Sequence, residues 1–335
     1  MSAHPSPDPR GATAPALMHA AVLDRFGDVD ELAVRQIPVP TVGEHDILLR
    51  VEVAGAASWD AVERDGDYDG VFGVPSRFPY VLGWDAAGTV AAVGRTVTRF
   101  AVGDRVYAAS TPVPRGGFYA EYGVVSEEHV ARVPERLTTA QAGVMAWDAL
   151  TAQSGLDLLD LDPGRTLMVF GASGGMGHMA VQLAHARGLR VLAVSSGSDG
   201  VALSQTHGAD AVVDGRTEDV GRAARRFAPD GLDAALITAG GRTAERALDT
   251  LKASGRIAWP HGVHPLPETP TAVPLSFFDG DRSRRALDRL NAVIETGAFT
   301  PHVAREFPLA EVQDAHRALR EHYVGKLALR IASDS

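Results

Sequence analysis

The chain has 335 residues, 45% hydrophobic and 22% charged, which predicts a globular protein of two domains with a sizeable core. Its formal net charge of −10 argues against a nucleic-acid backbone as partner, and no apolar run reaches the length of a membrane span. The absence of cysteine excludes disulfides, thiolate metal sites and cysteine nucleophiles, and a cytoplasmic location fits.

The opening MSAHPSPDPRGATAP places Pro, Ser and Asp where a signal peptide needs an apolar stretch. It predicts a flexible tail over residues 1–17, with Met18 near the first ordered residue. Short strands follow: MHAAVL (18–23), DILLRVEVAGA (46–56), GTVAAVG (88–94), DRVYA (104–108), AEYGVV (120–125) and HVARVP (129–134). Gly, Pro and Asp punctuate them. Residues 18–145 therefore read as one domain built on an antiparallel sheet or barrel.

Near residue 140 the pattern changes. LMVF (167–170), RVLAV (190–194), AVVD (211–214), AALIT (234–238), RIAWP (256–260) and LSFF (275–278) are nearly pure apolar runs. Such runs suit strands buried on both faces of a parallel sheet. Helical stretches are predicted at 175–187, around 199–207, at 217–228 and at 242–253. The alternation predicts a doubly wound α/β domain over 146–280. A helix at 282–296, a strand and helix within 304–320 and a last strand at 326–331 make up a C-terminal segment, 281–335. No internal repeat is visible.

The most informative stretch is VFGASGGMGHMAVQLAHARG, residues 169–188. Ala172, Ser173, Gly174, Gly175, Met176 and Gly177 form a dinucleotide fingerprint with Ala172 in place of its first glycine. At Gly174 a backbone without a side chain can approach a pyrophosphate. Gly177 lets the following helix pack tightly on its strand, and the helix N-terminus offers N–H groups to phosphates. Met176, Ala180, Leu183 and Ala184 fall at helical spacing and should face the sheet. The turn follows a predicted strand and opens a helix, the context that the motif requires.

The end of the second strand selects the dinucleotide. A carboxylate there accepts hydrogen bonds from the ribose of NAD. This chain has Ser195 and Ser196 instead, which leave room for a 2′-phosphate. Arg216 either supplies the countercharge or is a solvated loop arginine. Asp199 would complicate the choice if a loop shift brought it to the ribose. The reading favours NADP(H).

From GWDAAGTVAAVG (83–94), VGDRVYA (102–108), GGFYAEYGVV (116–125), the ASGGMG turn, HGADAVVD (207–214) and GKLALRI (325–331), the chain resembles a medium-chain dehydrogenase/reductase. The likeness is to the zinc-independent branch of quinone oxidoreductases and enoyl reductases. It implies an N-terminal GroES-like antiparallel β-barrel catalytic domain plus a Rossmann domain. It also implies a C-terminal segment returning to the barrel, an active site in the cleft between the two domains, and often a homodimer pairing through the last cofactor-domain strand, here LSFF. Zinc-dependent relatives use Cys ligands and a His-Glu pair. This chain has no Cys, carries Trp84-Asp85 at the pair and scatters its twelve His, so no metal is expected. His261 and His264 read as loop residues.

The resemblance also places candidate site residues. Cleft residues should come from 55–70, 80–85, 147–151, 238–240, 259–264 and 277–278. Tyr68 matches a tyrosine with which some enoyl reductases orient a carbonyl or deliver a proton, or else it is an exposed loop residue. Thr151 matches a threonine that faces the nicotinamide. Ala239, Gly240 and Trp259 join the cofactor side, and Trp59, Trp84, His261 and Phe277 the substrate pocket. Trp59 is equally readable as core, and Asp60 reads as structural. Ala57 stands where the family has an Asn near the nicotinamide ribose. Gly200 stands where NADPH-dependent relatives carry a lysine, which shifts the burden to Ser196 and Arg216.

The leading expectation is NADPH-dependent, metal-free hydride transfer to a conjugated C=C or quinone, with a small molecule as the partner. Two indoles would suit a flat, polycyclic or polyketide-like acceptor. A ketone or imine reductase, with Tyr68 or His261 as proton donor, is a second reading. A non-catalytic NADPH-binding protein is a third.

Overall fold

The computed structural model describes residues 14–331 apart from 72, 113–115 and 269–271. Most of the expected tail lies outside the described residues. The first strand, Leu17–Leu23, begins where that tail was expected to end.

Six parallel strands form one sheet with a separate buried core on each face. Their order across the sheet is Ala211–Asp214, Arg190–Ser195, Thr166–Phe170, Leu232–Ile237, Leu251–Pro260 and Leu275–Phe278. Every residue of Thr166–Phe170 is buried, because helices cover both faces. The chain order reverses at this central strand, which opens a crevice beyond its carboxyl end, where ligands bind in such sheets. The helices Gly175–Ala186, Gly197–Thr206 and Val220–Phe227 lie close to their predicted spans. The stretch 242–253 differs. Its helix ends at Ala247, a 3-10 turn covers Leu248–Thr250, and the next strand starts at Leu251.

The second lobe is a sheet of seven strands. Its path runs Val303–Pro308, Lys326–Arg330, Asp46–Ala56, Asp85–Val93, Arg105–Ala109 and Val130–Arg132, with Tyr122–Ser126 pairing along Asp46–Ala56. A three-stranded sheet of Ala33–Pro38, Leu17–Leu23 and Tyr80–Val81 completes it. The two C-terminal strands thus return to the first lobe. Asp46–Ala56 pairs on both edges, and its residues are nearly all buried rather than alternating.

Two helices escape sequence periodicity. Ala146–Leu159 is buried almost all round between the helices Gly175–Ala186 and Arg284–Glu295, so it has no polar face to reveal a 3.6-residue period. Each fully buried Leu there, such as Leu150, contributes about 1.5–3 kcal/mol. Ser58–Asp65 buries Asp60, Glu63 and Arg64, so its inward face consists of charged residues. Ala57 donates its N–H to Asp60 (2.7 Å), which fixes the start of that helix.

Candidate active site

A cleft of about 950 Å³ lies between the lobes at the crevice of the parallel sheet. One end is built from backbone. Gly171, at φ +83°, turns the chain out of the central strand, and the N–H groups of Gly171 and Ala172 both donate to Val194 O (3.0 and 2.9 Å). A Cβ on Gly177 would meet Gly171 O at 2.0 Å, so only glycine lets this helix sit so close to its strand. Gly174 caps the helix Gly175–Ala186 with extended backbone and no side-chain cap bond. The first N–H groups of a long helix therefore face the cleft without a capping side chain, an arrangement that fits a pyrophosphate.

His178 locks this turn. Its Nδ1–H donates to Gly174 O (2.8 Å) and its Nε2 accepts the N–H of His302 (3.0 Å), which settles the tautomer. Burial pushes its pKa down to about 3, so the imidazole stays neutral. Ser173 O accepts the N–H of Gly325 (2.8 Å), which ties the same turn to the C-terminal segment.

Beyond the end of the strand Arg190–Ser195, Ser196, Arg216 and His322 line the cleft. A Cβ on Gly200 would lie 2.7 Å from Ser173 Cβ, so position 200 has no room for the lysine of NADPH-dependent relatives.

The other end is aromatic. Trp59, Tyr68, Trp84, Trp147 and Phe278 line it. Trp84 is the hub. Its ring meets Trp147 edge-on at 4.4 Å, with Tyr68 at 5.9 Å and Trp59 at 6.4 Å. Its Nε1 donates to Glu63 (2.6 Å), which also accepts the Tyr80 hydroxyl (2.5 Å). Burial pushes Glu63 up to about 7 against those two hydrogen bonds. Asp60, one turn away, is raised by burial and by Glu63, and its Oδ2 accepts the Tyr119 hydroxyl (3.0 Å). Burial and these neighbouring carboxylates also raise Tyr68, so its phenol keeps its proton. The Tyr68 hydroxyl would lie 3.4 Å from a Cβ on Gly262, so this side chain crosses the cleft from one lobe to the other.

Between the two ends lies a buried ion cluster. Lys326 Nζ is 2.7 Å from Asp148, 3.9 Å from Asp85 and 4.7 Å from the centre of the Trp59 ring. Burial opposes the lysine charge, but the two carboxylates outweigh it and raise its pKa. Asp85 is pushed by burial up to about 7, against the pull of Lys326. A Cβ on Gly175 would meet Asp148 Oδ2 at 2.8 Å and Lys326 Cδ at 3.0 Å, so the cluster abuts the glycine turn.

The structure brings together Trp59, Tyr68, Trp84, Thr151, Ser173, Gly174, Gly175, Met176, Ser196, Arg216, Ala239, Gly240 and His261 around this cleft. Thr151 donates its hydroxyl to Trp147 O (2.8 Å), so its oxygen is left to accept. Four other candidates have side chains that do not line the cleft. Phe277 is 44% exposed and stacks on His261; the strand alternates, so Phe278 faces inward instead. Trp259 lies in the core of the sheet and donates Nε1 to Val263 O (2.9 Å). Ser195 is buried with its hydroxyl on Ser204 (2.7 Å), and Ala172 is buried in the core. Gly177 also lies off the cleft, in the packing role expected of it. Sequence reasoning missed Lys326 and His322, while Glu63, Trp147 and Asp148 fall within the expected segments 55–70 and 147–151 without having been singled out. The one legible signal was a lysine opening the apolar run KLALRI.

Among the described residues no group of three or more His, Asp or Glu side chains could hold a metal ion. No helix among them is long and apolar enough to cross a membrane.

Residues 43–135 match the family described as alcohol dehydrogenase GroES-like domain, and residues 175–277 the family described as zinc-binding dehydrogenase. An alcohol dehydrogenase of Rhizobium meliloti is 33% identical over 72% of this chain and 76% of its own. The chloroplastic NADPH-dependent alkenal/one oxidoreductase of Arabidopsis thaliana is 30% identical over 95% of this chain and 81% of its own. The human quinone oxidoreductase is 27% identical over 91% and 94%. Among solved structures, a mycobacterial protein in complex with NADPH superimposes with a TM-score of 0.82 at 28% identity, covering 94% of this chain and all of that one. With a GroES-like lobe, a doubly wound lobe that carries the glycine turn, and these relatives, the chain belongs to the medium-chain dehydrogenase/reductase family, in the branch of the quinone oxidoreductases.

Proposed function

We propose that this protein is an NADPH-dependent oxidoreductase that reduces a conjugated C=C or quinone in a flat, neutral acceptor, including polycyclic or polyketide-like intermediates. The observation that carries this reading is the wall of Trp59, Trp84, Trp147 and Tyr68 in the same cleft as the glycine turn. Indole faces favour stacked flat rings. Among the described lining residues, the cations other than histidine are Arg216, Arg320 and Lys326. Asp148 pairs with Lys326, and Asp67 and Asp279 also line the cleft, a pattern that favours a neutral acceptor over one bearing a carboxylate or phosphate.

Gly174, Gly175 and Met176 would hold the pyrophosphate of the dinucleotide, Ser196 and Arg216 its 2′-phosphate, and Thr151, Ala239 and Gly240 its nicotinamide half. When bound, that cofactor supplies a hydride to the electron-poor carbon of the acceptor. As the hydride adds, the π electrons of the acceptor move onto its oxygen. Tyr68, still protonated, donates a hydrogen bond to that oxygen or the proton that completes the reduction. The indoles exclude water and fix the ring plane. The NADP(H) preference is supported by the names of two relatives and by Ser196 and Arg216 at the strand end. The strand Leu275–Phe278, at the outer edge of its sheet, supports pairing into a homodimer.

A carbonyl reductase is the second reading. It rests on His261, which lines the cleft with its Nδ1 3.0 Å from the Asp279 carboxylate, a pair suited to proton donation. Consumption of NADPH and NADH against 1,4-naphthoquinone, phenanthrenequinone, a 2-enone, an enoyl thioester and a simple ketone separates the two. The expected result is turnover of the quinones and the enone with NADPH. Turnover of the ketone alone would replace this reading with the second. Tyr68→Phe should lower kcat about a hundredfold with KM little changed.

A further inference from the structure

The strand Arg190–Ser195 ends at Ser196 and Gly197, the place where a doubly wound sheet meets the adenosine ribose. A free carboxylate there bonds ribose hydroxyls and repels a 2′-phosphate. Asp199 is a carboxylate close to this strand end: it stands in the first turn of Gly197–Thr206, and its Oδ1 would lie 2.9 Å from a Cβ on Gly197. Yet both of its oxygens lie 3.0 Å from Nε2 of His322, which arrives from the C-terminal segment of the other lobe. Nδ1 of the same ring lies 3.2 Å from Nη2 of Arg216. A guanidinium only donates, so Nδ1 accepts and Nε2–H donates a hydrogen bond to the Asp199 carboxylate. The second acid of this end, Asp214, is engaged too: it accepts the N–H groups of Gly197 (3.1 Å) and Arg216 (3.0 Å) and the hydroxyl of Thr217 (3.0 Å).

We propose that His322 is a positioning residue that sets cofactor choice, holding Asp199 away from the ribose and Arg216 beside the strand end. A 2′-phosphate then meets Ser196 and Arg216 in place of a free carboxylate. The inference rests on the NADP(H) reading above. It replaces the family lysine, for which position 200 has no room, with a device that engages a carboxylate and leaves Arg216 as the cation.

The test is a binding cycle that needs no turnover. Isothermal titration of 2′,5′-ADP and 5′-ADP isolates the 2′-phosphate, and the ratio of the two Kd values is the readout. Removing His322 frees one carboxylate charge near that phosphate, so His322→Ala should cut the preference for 2′,5′-ADP about fivefold. Asp199→Ala should keep or raise the preference. The double variant should behave like Asp199→Ala, because the histidine acts through that aspartate. His322→Gln, whose amide both donates and accepts, should retain the wild-type ratio. His322 is partly exposed, and unchanged 5′-ADP affinity in each variant confirms an intact site. A wild-type preference that His322→Ala leaves untouched, or a loss that persists in the double variant, overturns the proposal alone. A wild-type ratio of one overturns the NADP(H) reading itself.

Discussion

The two ends of the cleft are made of different materials. The nucleotide end is backbone: glycines at 171, 174, 175 and 177, unpaired N–H groups and a neutral His178 that fixes one carbonyl. The acceptor end is side chain: indoles, a phenol and carboxyls sunk behind them. Charge is buried in two groups, Glu63 with Asp60 behind the acceptor end and Lys326 with Asp85 and Asp148 between the two ends. Recognition of a pyrophosphate can be left to main chain, while recognition of an acceptor needs shape that only large side chains supply.

The sharpest way to break this contrast is at Lys326, where the ends touch. Lys326→Met leaves Asp148 and Asp85 buried without their cation, at a cost of about 3–5 kcal/mol. Denaturant unfolding measures it, and Asp148→Asn in the same chain should recover part of the loss. A single Lys326→Met variant as stable as the parent would show that the cluster does not hold the lobes together.

Each buried group contributes a pH signature of unusual sign. Glu63 and Asp85 are raised to about 7, and an unfolded chain releases those protons near pH 4. The native state therefore binds more protons through this window, and stability falls as pH rises from about 4 to 7. Glu63→Gln should remove its share, on the order of 3 kcal/mol, and flatten the fall. Melting temperatures from pH 5 to pH 8 check it, and a parallel decline in both proteins would remove Glu63 from the account.

The smallest effect should fall on the acceptor alone. Trp59→Ala should raise KM for phenanthrenequinone about tenfold, the worth of one aromatic contact, and leave the KM for NADPH unchanged. An equal rise for both would mean that the indole supports the lobe interface and not the acceptor.

The same contrast explains what could be read from sequence. The nucleotide end is local: strand, turn and helix follow one another, and the apolar runs of a doubly buried sheet stand out. The acceptor end is assembled from positions 59, 68, 84, 147, 261 and 326, which no spacing connects. Its helix Ser58–Asp65 turns Asp60, Glu63 and Arg64 inward, the reverse of what hydrophobic periodicity detects. Phe277 and Phe278 differ by one residue, and pleating alone decides which of the two meets the cleft. Trp259 reads as a cofactor contact because it precedes the crevice, but its side chain turns into the core.

The most direct test of the central claim follows the hydride. NADPH deuterated at C4 of its nicotinamide would be turned over with a 2-enone and the product examined by NMR. Deuterium at the β-carbon is the predicted result, because the reading places a conjugated acceptor against the aromatic wall with its oxygen near Tyr68. Deuterium at the carbonyl carbon would contradict the reading and make the protein a carbonyl reductase.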